Sequence, residues 1–64
     1  MDIIIMRNKD KDTIEIEFKK HKGQIGQINV TQTNTSNESK TWTTFDLEDL
    51  INRLTRIGFK VVKK

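Results

Sequence analysis

The stretch Thr43–Val62, TTFDLEDLINRLTRIGFKVV, decides the fold, because it carries a whole helix with both of its ends and then the start of a strand. Asp46 is placed to cap the helix by accepting from the backbone N–H of Asp49. Phe45, one residue earlier, is placed to pack on Leu50 as a hydrophobic staple. Leu47, Leu50, Ile51, Leu54 and Ile57 recur at helical spacing and make one apolar stripe. Gly58 suits the left-handed residue that ends a helix, with Phe59 folding back on Leu54. Asp46, Glu48 and Asp49 sit near the positive end of the helix dipole and Arg53 and Arg56 near the negative end. Each charge of the stretch therefore has a structural task and needs no partner. Phe59–Lys63 then reads as a short strand.

Upstream, the pattern is that of strands. Asp2–Met6 is apolar at Ile3, Ile4 and Ile5 and rich in β-branched residues, which predicts a strand with both faces at least partly covered. Asn8–Asp12, NKDKD, is a charged turn. Thr13–Lys19 alternates: Ile14, Ile16 and Phe18 face one way, Thr13, Glu15, Glu17 and Lys19 the other. After the KKHKG turn, Gln24–Thr33 predicts a third strand, in which Ile25 is out of phase with Ile28 and Val30; a bulge at Gly26 reconciles them. Asn34–Glu38 is a polar turn, and Lys40–Phe45 a fourth strand carrying Trp42.

The order predicts a single two-layer α+β domain spanning residues 1–64. An antiparallel β-meander of about four strands is followed by one amphipathic helix and a short C-terminal strand. The expected core is Ile3, Ile5, Ile14, Ile16, Phe18, Ile28, Val30, Phe45, Leu47, Leu50, Ile51, Leu54, Phe59 and Val61. One helix leaves the other sheet face without cover. That face is expected to carry Glu15, Glu17, Lys19, Gln27, Asn29 and Thr31, polar enough for water and open to a partner.

Composition narrows the chemistry. A chain of 64 residues buries only about 60% of its unfolded surface, so its stability is of the order of a few kcal/mol. It has no cysteine, hence no disulfide and no thiolate zinc site, and one histidine, His21, which makes a metal site improbable. Good packing or association into a homodimer are the remaining ways to gain burial. The early apolar run is too short for a signal peptide or a membrane span, so a cytoplasmic protein without membrane contact is expected. Twelve basic against nine acidic residues give a formal charge of +3, which permits nucleic-acid binding without demanding it.

Catalytic equipment is hard to assemble from this inventory. Ser36 and Ser39 have no histidine near them in sequence, and His21 sits in a lysine-rich turn. Glu15 and Glu17 share a strand face and could act as an acid–base pair, but such pairs are more often the solvated side of a strand, matched by neighbouring lysines. NKDKD opens like a calcium loop, then puts Thr13 and Lys19 where the glycine and glutamate belong. Gly23–Gly26 matches the GXXG of K-homology domains, but its flanks are strand-like where that motif needs helices. No enzyme activity, catalytic residue, metal or cofactor is expected.

Two binding readings remain. The first is recognition of a larger protein through the uncovered face, using Trp42, Glu15, Glu17, Gln27, Asn29 and Thr31. Strand alternation sets Trp42 opposite to Phe45; with Phe45 on the helix, Trp42 points away, onto the uncovered face. The second is nucleic-acid binding by Lys19, Lys20, Lys22, Trp42, Arg53 and Arg56, with Trp42 as a stacking platform. A stand-alone chain of this size, with usage leaning to Ile, Lys and Asn, resembles phage and mobile-element accessory proteins. Many of those inhibit or modulate a host machine, anti-CRISPR and other counter-defence proteins among them; such a protein would work in the host-cell cytoplasm.

Overall fold

Local backbone preferences divide the chain as the pattern predicts, with two additional short strands. The computed structural model describes residues 2–64. Its elements are β1 (Asp2–Arg7), β2 (Thr13–Phe18), β3 (Lys20–His21), β4 (Gln24–Ile25), β5 (Ile28–Thr33), β6 (Ser39–Thr44), α1 (Leu47–Arg56) and β7 (Lys60–Lys63). Five strands form one antiparallel sheet in the order β6-β5-β2-β1-β7. The meander β1-β2-β5-β6 is built first. The chain then crosses back through α1 and adds β7 beside β1, at the far edge. The architecture is α+β, one helix on one sheet.

The same turn closes both outer hairpins. Asn8 N–H donates to the Asp12 carbonyl and Lys11 N–H to the Asn8 carbonyl; Asn34 N–H donates to the Glu38 carbonyl and Asn37 N–H to the Asn34 carbonyl. In each, the residue before the closing acid takes the left-handed conformation, Lys11 at φ 66° and Asn37 at φ 63°. This is a type I turn followed by a one-residue bulge, a common three-residue hairpin loop. Each leading asparagine secures it: Asn8 Oδ1 accepts from Asp12 N–H at 2.9 Å, and Asn34 Oδ1 from Ser36 and Glu38 N–H at 2.9 and 3.0 Å.

Between β2 and β5 the chain extends as a small ribbon. β3 and β4 pair across Lys22–Gly23, with φ of 52° and 79°, the positive values that a two-residue type I′ turn requires. Ribbon and sheet are out of step by one residue, since Glu17 lies opposite Asn29 but Lys20 opposite Ile25. The surplus residue lies at Gly26–Gln27, the bulge that the phase of Ile25 requires. Ile25 consequently packs on the core.

The helix ends are as read. Asp46 Oδ1 accepts from Asp49 N–H at 3.0 Å. At the other end Gly58, at φ 107°, donates to the Thr55 carbonyl, and Phe59 N–H donates to the Leu54 carbonyl at 2.9 Å. These paired bonds turn the chain so that Phe59 is buried against the core. Leu50 and Leu54 carry the helix onto the sheet, each contributing about 1.5–3 kcal/mol by burial.

The buried core is Ile4, Met6, Ile14, Ile16, Phe18, Ile28, Val30, Leu50, Leu54 and Phe59, with Ile25, Trp42, Leu47 and Ile51 packed around it. This corrects four expectations. Ile3 is 42% exposed and Ile5 lies beside it on the uncovered face, because β1 has the opposite phase: Ile4 pairs with Ile16 and Met6 with Ile14. Three isoleucines in a row give no alternation to read. Met6 and Arg7 do, since seating Ile3 and Ile5 inward would turn Arg7 inward as well. Phe45 is 74% exposed, because β6 stops at Thr44 and the bend into the helix carries the ring away from Leu50. Val61 is 38% exposed: it faces Met6 on the covered side, but on an edge strand outside the helix's cover.

The phase of β1 is testable by mutation. Met6→Ala should cost about 2–5 kcal/mol, enough to unfold much of so small a domain, whereas Ile3→Ala should cost under about 1 kcal/mol. Chemical denaturation followed by circular dichroism measures both, and equal costs would contradict the register.

Candidate functional site

With the helix on one side, the other sheet face is left uncovered, and its composition follows from the registers. One cross-strand row reads Ile3, Glu17, Asn29 and Thr43; the next reads Ile5, Glu15, Thr31 and Thr41; the third reads Arg7, Thr13, Thr33 and Ser39. Lys63 lies beside Ile5 and Lys60 beside Arg7. The face thus has a hydroxyl-rich half on β5 and β6, where Thr33 Oγ1 and Ser39 Oγ share a hydrogen bond at 3.1 Å. A carboxylate pair runs down the middle, and two isoleucines stand beyond it.

Of the expected docking residues, Glu15, Glu17, Asn29 and Thr31 meet on this face. Gln27 lies just outside β5 and lines a shallow cleft with Glu17, Lys19, His21 and Asn29. Trp42 does not belong to it. It pairs with Val30, which pairs with Ile16, which pairs with Ile4, so all four share the covered face. There Trp42 is half-buried, in a groove lined also by Leu50, Arg53, Leu54 and Ile57. Phe45 lies beyond the end of β6, so strand alternation does not tie its side to that of Trp42. What failed is the placement of Phe45 on the helix. Ile3 and Ile5 are the residues that sequence reasoning missed, and Arg7 was the signal that could have found them.

The residues of the nucleic-acid reading are scattered. Lys19, Lys20 and Lys22 belong to the ribbon end; Trp42 and Arg53 line the groove between β6 and α1; Arg56 lines a cleft at the opposite end of the helix. Arg53 is held by Asp49 at 3.0 Å, one helical turn away. The cleft at Arg56 is of ≈ 680 Å³ and joins Arg56 and Lys60, which the sequence suggests as helpers of a basic surface, to two cations it did not single out, Arg7 and Lys9, with Asp10 as its one acid. Ser36 and Ser39 lie at the Asn34–Glu38 turn, at the other end of the sheet from His21, so no serine–histidine pair forms. Among the described residues no helix is long and apolar enough to cross a membrane.

Electrostatics marks one point on the uncovered face. The pKa of Glu15 is raised above its ordinary value, first by its hydrogen bond with Glu17, then by partial burial, then by the Glu17 charge. A donor brought to this face would relieve the crowding of the two carboxyls.

Compared with family models, with curated proteins and with solved structures, the chain matches none.

The carboxyl pair gives a pH signature. The folded chain binds more protons than the unfolded chain above the ordinary glutamate value of 4.5. The stability due to Glu15 is therefore full below that value and falls as pH rises through the raised one. Glu15→Gln should raise the melting temperature at pH 7 and change it little at pH 4. A gain of equal size at both pH values would remove the carboxyl pair as its cause.

Proposed function

We propose that this chain is a small non-enzymatic binding protein that works by protein–protein recognition through the uncovered face of its sheet. The observation that carries this reading is the phase of β1, which sets Ile3 and Ile5 beside Glu15 and Glu17 instead of in the core. Protein interfaces combine exposed apolar side chains with neighbouring groups able to hydrogen-bond. Here Glu15, Glu17, Asn29 and the threonines of β5 and β6 extend from one side of the two isoleucines, and Lys63 lies on the other. The face is a broad strand-built surface, which suits a protein partner better than a small ligand. The partner is a larger protein, and no cofactor or metal takes part. Residue usage leaning to Ile, Lys and Asn supports the setting of a phage or mobile-element accessory protein, an anti-CRISPR or other counter-defence factor that inhibits or modulates a host machine in the cytoplasm.

A second reading, nucleic-acid binding, is favoured by the cleft of Arg7, Lys9, Arg56 and Lys60. Arg7 and Lys60 face each other across two strands, a like-charge pair that costs stability unless an anion lies between them.

One experiment separates the two. The immobilised chain is exposed to bacterial lysate and, separately, to short DNA and RNA over a salt series. Protein docking predicts a retained protein that survives moderate salt, is lost with Ile3→Glu at unchanged circular dichroism, and stays with Arg7→Ala. Nucleic-acid binding predicts affinity that falls steeply with salt and at least tenfold with Arg7→Ala. Retention of every captured protein by Ile3→Glu would overturn the docking face.

A further inference from the structure

The two edges of the sheet are built differently. β7 is protected in the ways that keep edge strands from pairing. It carries Lys60 and Lys63, and its register with β1 slips by an irregularity between Ile5 and Met6. β6 has little of this. It is a regular six-residue strand, Ser-Lys-Thr-Trp-Thr-Thr, with one lysine, no proline and an unbroken register along its inner side. Its hydrogen-bonding phase is set by the turn before it. Asn34 N–H donates to the Glu38 carbonyl, so in the alternation of an antiparallel pair Lys40, Trp42 and Thr44 bond inward to β5. Ser39, Thr41 and Thr43 then aim both N–H and C=O outward, with no strand beside them.

We propose that β6 is a docking strand for a second copy of this chain, paired antiparallel about a two-fold axis at Thr41, so that two sheets join into one of ten strands. The occupant is a second copy because the strand is complementary to itself in this register. Thr41 faces the partner's Thr41, and Ser39 faces Thr43, so every outward N–H and C=O of the strand is used. On the covered side Lys40 comes beside Trp42 of the second copy, where its ammonium meets the face of a half-buried indole. On the other side only Ser and Thr side chains face one another. No like charges are opposed. Sliding by one residue puts outward groups opposite inward ones, and sliding two residues toward the helix puts Glu38 opposite Asp46 of the partner. For a chain of 64 residues without cysteine, this association adds the burial that its own core lacks. The dimer is independent of the docking face described above and would present that face twice on one continuous surface.

Sedimentation and disulfide trapping test the proposal together. The chain has no cysteine of its own, so introduced thiols report cleanly. Across the two-fold axis the Thr41 Cα atoms would be about 5.5 Å apart, within disulfide reach, whereas two Ser39 residues would lie roughly 14 Å apart. Under mild oxidation Thr41→Cys should cross-link to a dimer and Ser39→Cys should not, while a mixture of Ser39→Cys and Thr43→Cys chains should cross-link to each other. Thr41→Pro, which removes an outward N–H and leaves the inner ladder intact, should weaken the dimer at least tenfold at unchanged circular dichroism. A concentration-independent monomer in sedimentation would overturn the proposal, as would Ser39→Cys cross-linking as fast as Thr41→Cys. A dimer insensitive to Thr41→Pro would place the interface elsewhere and overturn it equally.

Discussion

One helix must seal a sheet that has two faces, and the rest of the structure follows from that shortage. The helix contributes Leu50 and Leu54 as its buried contacts and can cover one side only. The residues beneath are set in cross-strand rows: Ile4, Ile16, Val30 and Trp42 in one, Phe18, Ile28 and Thr44 around the next. Because side chains alternate along each strand, placing these rows under the helix fixes everything on the other side. The second face is therefore the remainder of the packing problem, and its chemistry is decided by which residues the core leaves out.

Those left out divide the surface into parts with different capacities. The threonines and Ser39 make a neutral, hydrogen-bonding half on β5 and β6. Glu15 and Glu17 form an acidic centre in which one carboxyl is already held away from its ordinary titration. Ile3 and Ile5 add apolar surface that folding alone does not require. Cations collect instead at the far end of the helix, where Arg7, Lys9, Arg56 and Lys60 line one cleft. The ends of the sheet repeat the contrast: lysines and an irregular register on β7, a regular and nearly uncharged strand on β6. Neutral, acidic, apolar and basic surfaces thus occupy separate places on one sheet and its helix.

The sequence was most legible where a local rule has one solution. The cap of Asp46, the left-handed Gly58 with Phe59 turned back on Leu54, the alternation of β2 and the bulge before β5 all belong to this kind. It was least legible where the pattern is degenerate. Ile3-Ile4-Ile5 fits either phase, and only the contrast of Met6 with Arg7 separates them. Phe45 follows the last residue of a strand, so neither strand parity nor helix periodicity governs its ring, and the side assigned to Trp42 inherited that error. The candidate site was half legible for the same reason: its carboxylates, Asn29 and Thr31 alternate plainly, while its isoleucines were hidden in an uninterrupted apolar run. The basic cleft was invisible because its members are brought together by the final strand, whose pairing no local pattern states.

The fold and the proposed docking face both depend on β1 presenting Ile4 to the helix and Ile3 to the outside. The most direct test is the relaxation of isoleucine methyl groups by a soluble paramagnetic agent, measured by NMR on methyl-labelled protein. The structure predicts strong relaxation at Ile3 and Ile57, with Ile4, Ile14, Ile16 and Ile28 protected. Protection of Ile3 together with strong relaxation of Ile4 would reverse the phase of β1, return Ile3 to the core and remove the apolar part of the docking face.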